Sequence, residues 1–289
     1  MEYRRPLQNR PMECFNGEIA FLFPESAGQK LDERAVTYRF LAHRRLFGMV
    51  FDILQPNYFY HASYDSGVMI GSFVRSMAVS PDFTSPGDVD ILVMPYENDE
   101  FVLSKILVIE IKVIRATFIH QQKSPNQFGF SQAQALLRHG FPYVAVGHLV
   151  TSDNSPMKAW REMGASKILN ATTGQCSPIQ MIQFDCLPVD LLERAYGRLA
   201  QRRPNPNIGI FTAYPICQGM FCPQGLPAEP NPYVNRELLD KVYEYYQANY
   251  HTFLWTRRNP PLHKEATQKT DDCLEYLYKK MQKDFHIKK

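Results

Sequence analysis

Two periods of apolar and polar positions run through the chain, and the change from one to the other marks its elements. From Asp32 to Leu54 the apolar residues Val36, Phe40, Phe47, Val50, Phe51 and Leu54 recur on one helical face. Asp32 stands at the N-cap position and Pro56 at the stop, so the pattern predicts one long amphipathic helix. Tyr58 to Ser80 alternates loosely and predicts a strand or hairpin. Ser85 to Met94, SPGDVDILVM, predicts a strand after a Pro-Gly turn, and Pro95 to Glu100 a polar turn. Lys105 to Ile114, KILVIEIKVI, is apolar on both flanks and predicts a strand inside a sheet covered on both faces, closing a β-hairpin. Arg115 to Phe130, broken by Pro125 and Gly129, predicts a loop, Ser131 to His139 a short helix closed by Gly140, and Tyr143 to Val150 an apolar strand.

Beyond these, Thr151 to Gly174 shows a mixed loop and helix pattern, Ile179 to Phe184 predicts a strand, and Pro188 to Arg203 a helix with proline in its first turn. Prolines and glycines from Pro204 to Pro232 predict an irregular connection with at most one strand, Ile208 to Thr212. Val234 to Trp255 and Ala266 to Phe285 predict a helical hairpin across Asn259-Pro260-Pro261. The first thirty residues lack sustained periodicity apart from the apolar run Ile19 to Phe23.

The hairpin holds the candidate chemistry. Glu110 and Lys112 project from one face of the last strand, Ile109, Ile111 and Val113 from the other. Ionised groups are almost never buried unless paired or bound to a metal. Asp88 and Asp90 share a parity in the preceding strand, so either can stand on the Glu110 face; Asp90 lies inside the strand, Asp88 at the mouth of the turn. An Asp, a Glu and a Lys on one face of adjoining strands suit a divalent ion, with hard oxygens for Mg²⁺ and an ammonium to orient or acidify water. The competing explanation is an ion pair at an exposed sheet edge beside two turn aspartates.

Gly87-Asp88-Val89-Asp90-Ile91 followed by Glu110-Ile111-Lys112 resembles the PD-(D/E)xK nuclease superfamily, over roughly Asp32 to Val150. The resemblance implies an α/β (α+β) fold: a restriction-endonuclease-like core with a mixed central sheet flanked by helices, here with a C-terminal helical extension. Together with the periodicity read above, the chain is expected to divide into an N-terminal arm at 1–30, a nuclease-like core at 31–203, a connection at 204–232 and a helical hairpin at 233–289. Asp90, Glu110 and the Ile111 carbonyl, with Asp88 as a further ligand, would hold one or two Mg²⁺ ions, for which Mn²⁺ substitutes, and Lys112 would assist the attacking water. The family often takes a further carboxylate from the helix ahead of the hairpin; Glu33, on the buried face seven residues before Phe40, fits that place, and a first-turn Glu favouring the helix dipole explains it equally. Gln132 or Gln134 can project toward the site from the following helix, although Leu136 and Arg138 depart from the Gln-x-x-x-Tyr element of some members. The implied function is an endonuclease acting on nucleic acid, most readily DNA, in a prokaryotic defence or restriction system. The alternative is a non-catalytic scaffold serving a partner such as a helicase or ATPase.

Composition narrows this only modestly. With 45% hydrophobic and 21% charged residues the chain should fold, and a net charge of +3 leaves any nucleic-acid footprint to local clusters. Arg194, Arg198 and Arg202 recur at four-residue spacing and form a stripe suited to phosphates or to a solvated face. His120, Gln122 and Lys123 lie in the loop after the Glu/Lys strand, within reach of a phosphate. Tyrosines from Tyr243 to Tyr278, interleaved with basic residues, read as helix packing ahead of base stacking. The six cysteines are too scattered for a disulfide framework, and Cys217-x4-Cys222 alone does not make a zinc site. No signal peptide, membrane span, P-loop or Gly-x-Ser-x-Gly is found, so a cytoplasmic protein, free of membranes and open to self-association, is expected.

Overall fold

The computed structural model describes residues 2–11, 32–81, 83, 88–170, 172–215 and 221–258. Their strands are β1 (Arg4–Pro6), β2 (Ser66–Arg75), β3 (Asp88–Glu97), β4 (Glu100–Val102), β5 (Leu107–Arg115), β6 (Tyr143–Thr151), β7 (Arg161–Ala165), β8 (Ile168–Asn170), β9 (Gln175–Cys176), β10 (Gln180–Phe184), β11 (Ile208–Ala213), β12 (Gln224–Leu226) and β13 (Leu254–Arg257). The helices are α1 (Glu33–Ala42), α2 (Arg44–Leu54), α3 (Tyr58–His61), α4 (Ser76–Val79), α5 (Phe130–His139), α6 (Leu187–Gln201) and α7 (Arg236–Asn249).

Nine of these strands form one mixed sheet flanked by helices. β5 lies inside it, antiparallel to β3 and parallel to β6, which is in turn parallel to β11. Burial on both faces explains why β5 and β6 read as nearly continuous apolar runs. One face carries Val108, Val144, Val146 and Ile210 against α5 and α7. The other carries Ile109, Ile111, Ala145 and Phe211 against α1 and α2.

Several expectations are corrected. The long helix is two: His43 leaves helical geometry and its Nδ1 accepts the Leu46 N–H at 3.2 Å, capping α2. The break lets Phe40 and Phe47 both meet the second core, their ring centroids 5.7 Å apart. Asp32 does cap α1, its Oδ1 accepting the Ala35 N–H. Pro95–Glu97 belongs to β3, which pairs with β2 along its length, and β4 occupies the connection expected to be a plain turn. Residues 2–11 are not a loose arm, because β1 adds to β4. In 204–232, β11 is an inner strand of the sheet and β12 pairs with it, so the core runs past residue 203. The expected loop and helix pattern holds only for the helical turn Met157–Ala159; from Arg161 to Phe184 the strands form two two-stranded ribbons, β7 with β10 and β8 with β9. The expected helix from Val234 is α7, but the chain then enters β13, which pairs with β2. The Ile19–Phe23 strand, the Pro86-Gly87 turn, Cys14, Cys217, Cys273 and the second helix of the hairpin lie outside the described residues. No helix among the described residues is long and apolar enough to cross a membrane.

Candidate active site at the end of the central strands

The β3–β5 ladder stops at Ile91 opposite Ile109. One step on, where Asp90 and Glu110 face each other in register, a side chain replaces the backbone partner: Asp90 Oδ2 accepts the Ile111 N–H at 2.7 Å. On the other flank the β2 ladder is interrupted at the same level. Phe73, between the Ser72–Ile91 and Val74–Val89 pairs, takes a φ of 52°. Asp90 is therefore set between two gaps in the sheet, yet only 7% exposed, and Glu110 only 3%. Lys112 Nζ donates to Glu110 Oε1 at 2.6 Å. The expected parity of Glu110 and Lys112 holds, and the sheet-edge explanation fails because β5 is an inner strand.

Burial makes this cluster electrostatically tense. Desolvation, reinforced by the neighbouring Glu110 charge, pushes Asp90 up to about 8 against the Ile111 hydrogen bond. Burial raises Glu110 as well, while Lys112 pulls it back. The two buried carboxyls titrate as an interacting pair. Burial opposes the Lys112 ammonium, but Glu110, Glu33 and Asp90 outweigh it and hold Lys112 above its ordinary value. Glu33, half-buried on the first turn of α1, is raised by burial against the pull of Lys112 and Arg115. Asp90, Glu110, Lys112 and Glu33 thus form one interacting quartet. Glu33 and Lys112 open into a cleft of about 530 Å³ lined also by Arg115, Lys123 and residues 124–127; Asp90 and Glu110 are not in its lining.

These donors fit a partly hydrated Mg²⁺, which commonly takes only one or two carboxylates and keeps several waters. Two hard oxygen donors share a low-dielectric site in which burial, and after it the Glu110 charge, raises Asp90, and a dication offsets both. Because N–H and C=O of one strand residue point to the same side, the Ile111 carbonyl faces the β3 side beyond the last ladder pair. Among the described residues no group of three or more His, Cys, Asp or Glu stands together as metal ligands, so a richer ligand set is not present there.

The remaining candidates divide. Asp88 leaves the cluster, placing Oδ2 at 3.5 Å from Arg34 on the surface. Gln132 sits in the first turn of α5 with Oε1 buried and without a hydrogen-bond partner. Lys123 lines the cleft, whereas His120 is exposed outside its lining. The arginine stripe of α6 grips the loop between β5 and α5: Arg194 donates to Gln121 Oε1 at 2.6 Å, Arg198 to the Lys123 carbonyl at 2.9 Å, and Arg202 lies 4.2 Å from the Phe128 ring centroid. Its first role is to hold that loop.

Sequence reasoning missed His148 and the turn above it. His148 neighbours Lys112 in the β5–β6 register and is 1% exposed. Burial drives its pKa down to about 4, so the ring is neutral, with Nε2 at 3.2 Å from the Phe128 carbonyl as donor. Next in sequence, Gly129 has a φ of 87°, and a Cβ there would come within 3.1 Å of Glu110 Cγ and 3.2 Å of Val146 Cγ1. Only glycine seats the N-terminus of α5 directly on Glu110. The available signal was a histidine in an apolar run, which reads as core.

No family model, characterised protein or solved structure matches this chain, so the reading of the site rests on its own residues.

Proposed function

We propose that the protein is a Mg²⁺-dependent nuclease of the PD-(D/E)xK type on a restriction-endonuclease-like core, hydrolysing phosphodiester bonds of nucleic acid, with DNA the first substrate to test. The observation that carries this reading is the buried Asp90–Glu110–Lys112 arrangement at the point where β3 and β5 stop pairing. Asp90, Glu110 and the Ile111 carbonyl would hold Mg²⁺, which when bound neutralises phosphate charge and lowers the pKa of water. Lys112, held protonated by three carboxyls, orients the attacking water and stabilises developing charge rather than acting as the base. Glu33, raised by burial at the rim of the cleft, would receive the proton. Lys123 and the N-terminus of α5 add positive potential for the phosphate. A cytoplasmic defence or restriction setting belongs to the same proposal.

The test is cleavage of supercoiled plasmid, linear duplex, single strands and RNA with Mg²⁺ or Mn²⁺, comparing wild type with Lys112→Ala and Asp90→Asn. Cleavage by wild type and a loss of about 10²-fold or more in each variant is expected. One observation favours a second reading, a non-catalytic scaffold or partner-binding subunit: Lys112 already satisfies Glu110 without an ion. Titration calorimetry with Mn²⁺ separates the two, since absence of binding together with absence of cleavage would falsify the nuclease reading.

A further inference from the structure

The cleft into which Glu33 and Lys112 open is also lined by residues 123–127 of the loop between β5 and α5. That stretch is held on both sides. Before it, Arg194 donates to Gln121 Oε1 at 2.6 Å and Arg198 to the Lys123 carbonyl at 2.9 Å. After it, His148 donates to the Phe128 carbonyl at 3.2 Å, and Arg202 lies over the Phe128 ring. Between these anchors Pro125 further restricts the backbone. Asn and Ser in loops ordinarily turn back to hydrogen-bond the nearby chain. Ser124, Asn126 and Gln127 do not: all three are exposed, line the cleft, and make no hydrogen bond among the described residues. A positioned backbone thus presents three uncommitted polar side chains to the space beside Lys112.

We propose that residues 124–127 are the base-reading element of the nuclease, with Asn126 and Gln127 meeting base edges next to the cut. On the nuclease reading, on which this depends, Lys112 and Lys123 hold backbone phosphates and so set the register of the strand, while base contacts supply the preference. A carboxamide carries one acceptor oxygen, two N–H donors and no charge. It cannot neutralise a phosphate, but it matches a base edge, as in the bidentate contact of Asn or Gln with N6 and N7 of adenine. Two carboxamides in succession on a backbone fixed from behind by α6 lose little freedom on binding. None of the described residues that line the cleft is aromatic, so the sequence-tolerant alternative, stacking of bases on rings, is not offered there.

The test uses random-sequence libraries of duplex DNA, single-stranded DNA and RNA, cut by the full chain with Mg²⁺ and sequenced at the new ends. The same libraries are selected for binding to the full chain carrying Lys112→Ala. Wild type is expected to favour particular bases within a few positions of the cut, and the binding selection to enrich the same bases. Asn126→Ala and Gln127→Ala should each flatten that preference, lowering the ratio of kcat/KM between favoured and disfavoured sites by ~5–150-fold. Both positions are exposed, so melting should stay at the wild-type value and exclude misfolding as the cause. A wild type that cuts without base preference, or variants that keep the wild-type preference, overturns the base-reading role and leaves the nuclease reading standing. A chain that neither binds nor cuts any library overturns both.

Discussion

Asp90 is held against its own chemistry, and that can be measured without a substrate. A carboxyl raised from 3.8 to about 8 in the folded state binds its proton more tightly there than in the unfolded chain. Its stabilising contribution is complete below the ordinary value and lost as pH rises through about 8. His148 works the opposite way lower down: with its folded pKa depressed to about 4, stability grows as pH rises from there toward 6.5. Above 6.5 only the carboxyl effect remains of the two. The metal-free protein should therefore lose melting temperature between pH 6.5 and 8.5. Asp90→Asn, which keeps an oxygen for the Ile111 N–H, should flatten the slope and melt above wild type at pH 8.5, by ~2–4 °C for each kcal/mol of relief. The proton also competes with the ion, so Mn²⁺ affinity should climb with pH up to about 8; an affinity independent of pH would remove Asp90 from the ligand set. His148→Leu removes the donor to Phe128, and a cost of ~1 kcal/mol in urea unfolding is expected. The Glu110–Lys112 parity was legible because strand alternation is strict and a charge in an apolar strand stands out. His148 was not, because a neutral buried imidazole uses its polarity locally and leaves no pattern.

The loop between β5 and α5 is anchored at its ends by Ala116, Phe118 and Phe128, while its polar middle is held by side chains of α6. Arg198 holds a backbone carbonyl and Arg194 a side chain, so the double variant Arg194→Ala/Arg198→Ala should expose residues 116–129 to limited proteolysis before the sheet unfolds. Unchanged protection would show that the His148 and Gly129 contacts suffice. Lys123 instead faces the cleft, and Lys123→Ala should weaken nucleic-acid binding uniformly across sequences and lower the salt slope by about one. The four-residue spacing of the arginines announced a common face, but spacing cannot say whether a phosphate or a neighbouring loop meets it. The same limit explains the other elements that differ. One helical period spans α1 and α2 because a side-chain cap at His43 breaks the axis without breaking the apolar repeat. Residues 157–184 hid their ribbons because their apolar residues, with no core to face, do not alternate cleanly.

At the scale of the whole molecule, the early and late described segments close on each other. Tyr3 Oη lies 2.6 Å from Asp240 Oδ1, and Arg5 pairs with the same carboxylate at 2.8 Å. From α7, Tyr243 donates to the Pro6 carbonyl and Tyr246 to the Asn9 carbonyl, with the Tyr246 ring edge-on to Phe101 at 4.6 Å. Tyr243 and Tyr246 are thereby engaged in packing rather than on a base-stacking surface. The arrangement was not legible in the sequence, since β1 is three residues long and its partners lie about a hundred and about 240 positions away. Leu7, buried between these segments, is worth ~1.5–3 kcal/mol and the two tyrosine hydroxyl bonds ~1 kcal/mol each. Deleting residues 2–11 should therefore cost ~3–5 kcal/mol, lower the melting temperature by ~10 °C, and speed amide exchange in α7 far more than in β5 or β6. Equal acceleration in all three would mean that the clasp stabilises the sheet as one cooperative unit with α7, and would assign the segment to global stability instead of to the seating of one helix.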